Sequence, residues 1–329
     1  MTVTIAPEAI EGDHRAALAE AVDEVVRRYA SAPWRELWDA LEEAGFTLLS
    51  IPEEAGGSGG ELPDLAVVLE RCAYAGARLP LVGTVVAAWA ATRAGIAVPA
   101  GPMACAWPGD GARSPWAPVV DHVVGLTGTG VRIGTPAEFG VRPVEDSLTG
   151  EPVGTVEPVE LVEPQSDGGA PTPAEARLRA ALLRSVELRG AATRALDAAA
   201  RYSTEREQFG RPINRFQAVG QLLAQCAGEV VTTGVVVDAA IAAAADPGTR
   251  ADIAAMVAKI QASATAGRVA AIAHQVHGAI GFTEEHPLHV STRALWSWRD
   301  DYGDEHHWAR RLATLAEHHG PHLWHLLAD

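Results

Sequence analysis

The chain is expected to be mostly α: an N-terminal helical domain, a reduced middle β segment and a C-terminal antiparallel helical bundle. Three observations predict this. Apolar residues recur at helical spacing through residues 8–95 and again beyond 172. The stretch between them is rich in glycine, proline, valine and threonine, with only short strand-like pieces. Finally, Thr172-Pro173-Ala174-Glu175 combines a capping box with proline at the first helical position, a strong start signal for a second helical part. The expected division is 1–100, 101–170 and 171–329.

In the first part, Trp34, Leu37, Trp38 and Leu41 form one apolar stripe of a helix that stops near Gly45. Leu65, Val68 and Leu69 begin another stripe, and Leu79 to Ala94 forms a third. Between them lies Ile51-Pro52-Glu53-Glu54-Ala55-Gly56-Gly57-Ser58-Gly59-Gly60. It lacks the Lys-Ser/Thr that follows in a phosphate loop, so it reads as a turn.

The middle part offers strand-like pieces at Pro118–Leu126, Val131–Gly134 and Val153–Val162. An eight-stranded barrel needs about 80 residues at ordinary strand and loop lengths, against roughly 50 here, so an incomplete barrel or a short sheet is expected. Gln165 to Ala170 reads as a linker. Helices are then expected at 173–204, 214–245, 249–278, 287–299 and 304–327. The second of these is nearly apolar all round (Val230, Val231, Val235, Val236, Val237), so it should be buried in a bundle core or an oligomer interface.

A formal charge of -16 argues against general binding to nucleic acid or anionic membranes, which needs clustered cations. No run of about 18 apolar residues suggests a membrane span, and the acidic N-terminus is not a signal peptide. Cys72, Cys105 and Cys226 are far apart and form no CxxC pair, as expected of a cytoplasmic protein. Eight of the 12 histidines lie between His286 and His325. His318, His322 and His325 share a helical spacing, but Pro321 interrupts it and no cysteine completes a zinc signature, so a solvated helix is expected.

Two patches carry chemistry. Arg206, Gln208 and Phe209 place a guanidinium, an amide and a ring at the end of one helix, with Phe216 and Gln217 following. Gln275-Val276-His277-Gly278-Ala279 forms the second patch, followed by Gly281-Phe282-Thr283. A dinucleotide needs fixed cations and N–H donors for its pyrophosphate and a flat apolar surface for its adenine.

In this order the patches resemble the acyl-CoA dehydrogenase family, along most of the C-terminal half without a gap. The N-terminal part resembles it too, through a Trp-rich helix, Glu42-x-x-Gly45-Phe46 and Pro52-Glu53-Glu54-x-Gly56-Gly57. The resemblance implies FAD as cofactor and an acyl-CoA substrate. It also implies that Arg206, Gln208, Phe209, Phe216, Gln217, Gln275, Val276, His277, Gly278 and Ala279 contact the adenine and pyrophosphate end, with Ala279 replacing the family's second glycine.

In that family a carboxylate removes the α-proton of the thioester while a hydride leaves the β-carbon for the flavin. Counting from Gly281-Phe282 places Tyr302 where the family keeps its glutamate. Tyrosine, with an ordinary pKa near 10, is a poor replacement for that base. Asp301 is one methylene shorter and displaced by one residue. The earlier helical position that some members use falls at Ala180. The family's Thr-Glu-Pro-x-x-Gly-Ser flavin cradle has no counterpart between Ala104 and Pro164.

Together these features resemble the small, non-catalytic subunit of bacterial heterotetrameric (α2β2) acyl-CoA dehydrogenases, several of which act on steroid side-chain thioesters. A larger homologous subunit would supply the base, and an electron-transfer acceptor would complete turnover. The alternatives are a self-sufficient homomeric dehydrogenase using Asp301, a scaffold subunit that does not touch flavin, and an unrelated acyl-CoA reaction on the same fold.

Overall fold

The computed structural model describes residues 7–107, 113–127, 130–144, 148–156 and 169–320. Two helical parts enclose small sheets, so the fold is mostly α, as expected. The first part comprises α1 (Pro7–Arg28), α2 (Trp34–Glu43), α3 (Leu62–Ala75) and α4 (Leu81–Arg93). Leu37, Trp38 and Leu41 form the buried stripe of α2. The glycine-rich stretch is a turn: Ile51 bridges Gly59 around a short 3-10 segment at Glu53–Ala55. A side chain at Gly57 would collide with the Ile51 carbonyl, so only glycine closes this turn. Glu61 and Asp64 form a capping box at the start of α3.

Two three-stranded sheets follow. In one, β1 (Met103–Ala106) pairs parallel with β3 (His122–Thr127), and β3 pairs antiparallel with β4 (Gly130–Gly134). In the other, β6 (Val153–Thr155) lies between β2 (Arg113–Pro115) and β5 (Arg142–Pro143). The expected piece at 118–126 begins only at His122, because the chain turns through Trp116–Val120 with Trp116 at φ +68°. Residues 157–162 of the third expected piece lie outside the described residues. Strands β1, β2 and β5 were not anticipated, since two to four residues carry no readable alternation. The Thr84 hydroxyl accepts from the Met103 N–H at 2.9 Å, fixing β1 against α4.

The second part is a bundle of α5 (Pro173–Glu205), α6 (Gln217–Ala243), α7 (Thr249–His277), α8 (Leu288–Asp300) and α9 (Glu305–His319). The Thr172–Glu175 capping box forms as expected: the Thr172 oxygen accepts from Glu175 N at 3.2 Å, and a Glu175 oxygen accepts from Thr172 N at 2.7 Å. Alanines at 191, 195, 262, 266 and 270 line the buried bundle seam, which lets the backbones approach closely.

For helix α6 two alternatives were expected, burial in the bundle core or in an oligomer interface, and the first does not hold. Cys226, Thr233, Val237, Ala240 and Ile241 are buried, while Val231 and Val235 are 65% and 64% exposed. By length and composition the helix is also long and apolar enough to cross a membrane, which corrects the expectation that no run of the chain suggests a span. Here it packs along α7, where the Thr233 hydroxyl donates to that of Thr265 at 2.9 Å. All three cysteines are free and buried. The His318 ring meets the Thr314 carbonyl at 2.7 Å, while Pro321, His322 and His325 lie outside the described residues.

Candidate functional site

Two regions carry the candidate chemistry. The first surrounds Tyr302, in the turn between α8 and α9. Arg184 and Glu187 sit three apart on α5, hence on one face, and both are buried. Arg184 pairs with Glu187 and, at 3.0 Å, with Asp301. Its guanidinium also lies 5.1 Å from the Trp298 ring centre and 5.5 Å from that of Tyr302. Burial works against its charge, and Glu187 and Asp301 more than offset this, so the guanidinium stays charged.

Around this pair the remaining polar groups are mostly satisfied. The Trp298 indole N–H lies 3.1 Å from both oxygens of buried Glu151, and the Thr149 hydroxyl donates to the same carboxylate at 3.1 Å. Burial pushes Glu151 above its ordinary range, with Arg184 opposing. Lys259, the only lysine in the chain, is fully buried. Its Nζ donates to the Arg299 carbonyl at 2.7 Å, the Trp298 carbonyl at 3.1 Å and the Ser263 hydroxyl at 3.2 Å, tying off the end of α8. Burial lowers its pKa to about 7.

Asp301 is therefore committed to Arg184 rather than left as a free base. The Tyr302 ring packs edge-on to Trp107 at 6.2 Å, and burial pushes its hydroxyl far above the ordinary value. Tyr302 has φ +60°, a left-handed conformation unusual for a bulky residue. Ala180 is buried in the core. A cavity of about 460 Å³ remains beside Tyr302, lined by Trp107, Glu151, Arg177 and Asp301 among others. Sequence reasoning missed Glu151, Arg184, Glu187 and Lys259. The signals were a charged pair inside an alanine–leucine run and a single lysine among 26 basic residues.

The second region faces outward. Helix α5 ends at Arg206, and a two-residue hairpin pairs β7 (Glu207–Gln208) with β8 (Arg211–Pro212). Its turn residues Phe209 and Gly210 have φ +55° and +77°, which aims the Phe209 side chain away from the fold, 92% exposed. Phe216 lies 6.0 Å from Phe209, with the Arg211 guanidinium 4.2 Å from its ring centre. Gln217 is exposed at the first turn of α6, whose leading N–H groups lack helical partners.

The other patch closes α7. Gln275, Gly278 and Ala279 are exposed, whereas Val276 and His277 point into the bundle and offer only their backbone. His277 stacks on Tyr202 of α5 at 4.6 Å, and its Nδ1 meets the Ala273 carbonyl at 2.7 Å. That stack ties the last turn of α5 to the last turn of α7, so both patches spring from one junction. Gly278 has φ +64°, and nothing lies within 4 Å of where a side chain would begin. A cavity of about 410 Å³ runs past His274, Gln275, Gly278, Phe282 and Trp296.

Exposed cations, amides, a flat ring and an open glycine fit the adenosine diphosphate end of a dinucleotide. The Tyr302 region does not fit the flavin ring end in the same way, because buried ion pairs and packed aromatics occupy much of it.

Comparison with known proteins places this arrangement. The acyl-CoA dehydrogenase N-terminal domain matches residues 8–97, and the C-terminal domain of the same family matches residues 177–297. Acyl-CoA dehydrogenase IpdE2 of Mycolicibacterium smegmatis is 34% identical over 77% of this chain and 79% of its own length. IpdE2 of Mycobacterium tuberculosis is 33% identical over 80% of each. Among solved structures, the Tcur3481-Tcur3483 steroid ACAD superposes with a TM-score of 0.78 at 24% identity, over 93% of this chain and 98% of that one. The ChsE4-ChsE5 complex from Mycobacterium tuberculosis gives 0.77 at 24%, over 96% and 99%. With both terminal domains matched and relatives aligned over most of its length, the chain belongs to the acyl-CoA dehydrogenase family.

Proposed function

We propose that this chain is the non-catalytic subunit of a heteromeric, FAD-dependent acyl-CoA dehydrogenase, paired with a larger homologous subunit that supplies the base. One observation carries the reading: at the position of the family's glutamate stands Tyr302, and its acidic neighbour Asp301 is ion-paired to buried Arg184. Neither the phenol at that position nor the ion-paired carboxylate beside it is suited to take the α-proton of a thioester. When bound, FAD would supply hydride acceptance at the partner's site. This chain's contribution is to hold its adenosine diphosphate end through Arg206, Gln208, Phe209, Phe216 and Gln217, with Gln275, Gly278 and Ala279 alongside.

The exposed valines of α6 support a missing neighbour, since an apolar helix face gains stability only when covered. Two similar structures are named as pairs of chains, and one is named a steroid ACAD. By that analogy the substrate is a bulky steroid side-chain CoA thioester. Three buried free thiols suit a reducing cytoplasm.

Co-expression with a homologous subunit that carries the flavin cradle tests the reading. The complex should be yellow and active, and the isolated chain colourless and inactive. Arg206→Ala in the complex should cut flavin retention about tenfold or more, as loss of a charge-assisted contact does. Unchanged retention would instead favour a scaffold. A yellow, active isolated chain that loses turnover on Asp301→Ala would overturn the proposal.

A further inference from the structure

Apart from both regions, a cleft of about 700 Å³ opens between the end of α1, the start of α2, the end of α3 and the first half of α8. It is unusual for a chain of net charge -16. Arg27, Arg71, Arg78 and Arg293 line it together with His289, against one carboxylate, Asp23. That carboxylate is already taken: Arg71 Nε donates to it at 2.7 Å, and the Arg71 Nη2 closes a second contact. Arg293 reaches only Glu284, at 3.6 Å, and that glutamate side chain is largely in solvent. Arg27 and Arg78 have no hydrogen-bond or ion-pair partner among the described residues.

Arg78 is the informative member. It is half-buried, and burial lowers its pKa, with Arg293 adding to the effect and Glu151 opposing it. Glu151 is engaged by Trp298 and Thr149, so it does not neutralise Arg78 alone. Two guanidiniums sharing a recess repel each other unless an anion joins them. Arginine forks match phosphate oxygens, and Tyr29, Trp34 and Tyr74 line the same cleft with flat rings.

We infer that this cleft is a nucleotide-binding site, with phosphates held by Arg78 and Arg293 and a planar base against the aromatic wall. It is separate from the Arg206 patch and does not rest on the subunit assignment. The nucleotide is either free or the adenine-nucleotide portion of a coenzyme A molecule.

Titration of the purified full chain, alone and with its co-purified partner, with ADP, coenzyme A and inorganic phosphate tests this by calorimetry and tryptophan fluorescence. Because the Arg206 patch also offers contacts to an adenosine diphosphate, these titrations use an Arg206→Ala background, in which ADP should bind once per chain and more tightly than phosphate. Arg78→Ala and Arg293→Ala should each weaken it about tenfold or more. Competition between coenzyme A and ADP assigns the coenzyme as the source, and absence of competition assigns a free nucleotide. Should Arg78→Ala fail to fold, Arg293→Ala combined with Arg27→Ala changes side chains nearer the surface and carries the same expectation. ADP binding that survives a folded double variant overturns the inference, as does phosphate binding as tight as that of ADP.

Discussion

The surroundings of Tyr302 and the surroundings of Phe209 are opposites. Around Tyr302, Arg184, Glu187, Glu151 and Lys259 are turned inward and are engaged by one another, by the Trp298 indole and Thr149 hydroxyl, and by backbone carbonyls. Around Phe209, Arg206, Gln208 and Gln217 are turned outward, and the phenyl ring stands almost wholly in solvent. A polar group buried without a partner is expensive, so the inward set had to satisfy itself during folding. The outward set stays solvated and carries no such penalty. In the proposed reading the first region serves stability and the second recognition.

The sharpest way to break this contrast is Arg184→Ala. It leaves the Glu187 carboxylate buried with its main partner gone, and should cost about 3–5 kcal/mol in urea unfolding. Replacing the pair together, Arg184→Met with Glu187→Leu, should recover much of that loss. A single variant that unfolds like the parent would mean that the inward network is not structural.

A smaller effect is expected at the bundle's start. Thr172→Ala should lower stability by about 1 kcal/mol, the ordinary value of an N-cap. The Thr172 N–H and hydroxyl hold Glu175 below its ordinary value of 4.5. The resulting stabilisation is complete above that value and is lost as pH falls through the depressed folded one. Glu175→Gln should therefore flatten the acid side of the stability curve, measured by thermal melts across pH.

The smallest change in stability is expected at Phe209. Asparagine tolerates positive φ better than phenylalanine, so Phe209→Asn should shift stability by less than about 0.5 kcal/mol. Flavin retention in the complex should fall all the same. A large stability loss with unchanged retention would reverse the roles assigned to the two regions.

Much of the helical architecture was legible. The helix expected at 173–204 runs Pro173–Glu205, and that expected at 249–278 runs Thr249–His277, because caps and apolar period act locally. The short strands β1, β2 and β5 were not legible, because two to four residues show no alternation and β1 and β2 pair with chain well removed in sequence. Helix α6 was recognised as apolar, but composition could not say which face its neighbours leave open. At the candidate site, the order of residues identified the outward patches, yet gave no hint that Val276 and His277 point inward. Nor could it couple Glu151 to Trp298, which lie 147 residues apart.

By itself, then, the sequence determined the local matters: where helices begin and end, that the middle is too short for a barrel, and that tyrosine stands at position 302. These follow from backbone preferences and side-chain identity at neighbouring positions. Only the tertiary structure decided that Asp301 is bound to Arg184, that the lone lysine is buried beneath α8, and that four arginines converge on one cleft. Charges interact through space with whatever packing brings within a few ångströms, and the spacing of residues along the chain does not encode that distance.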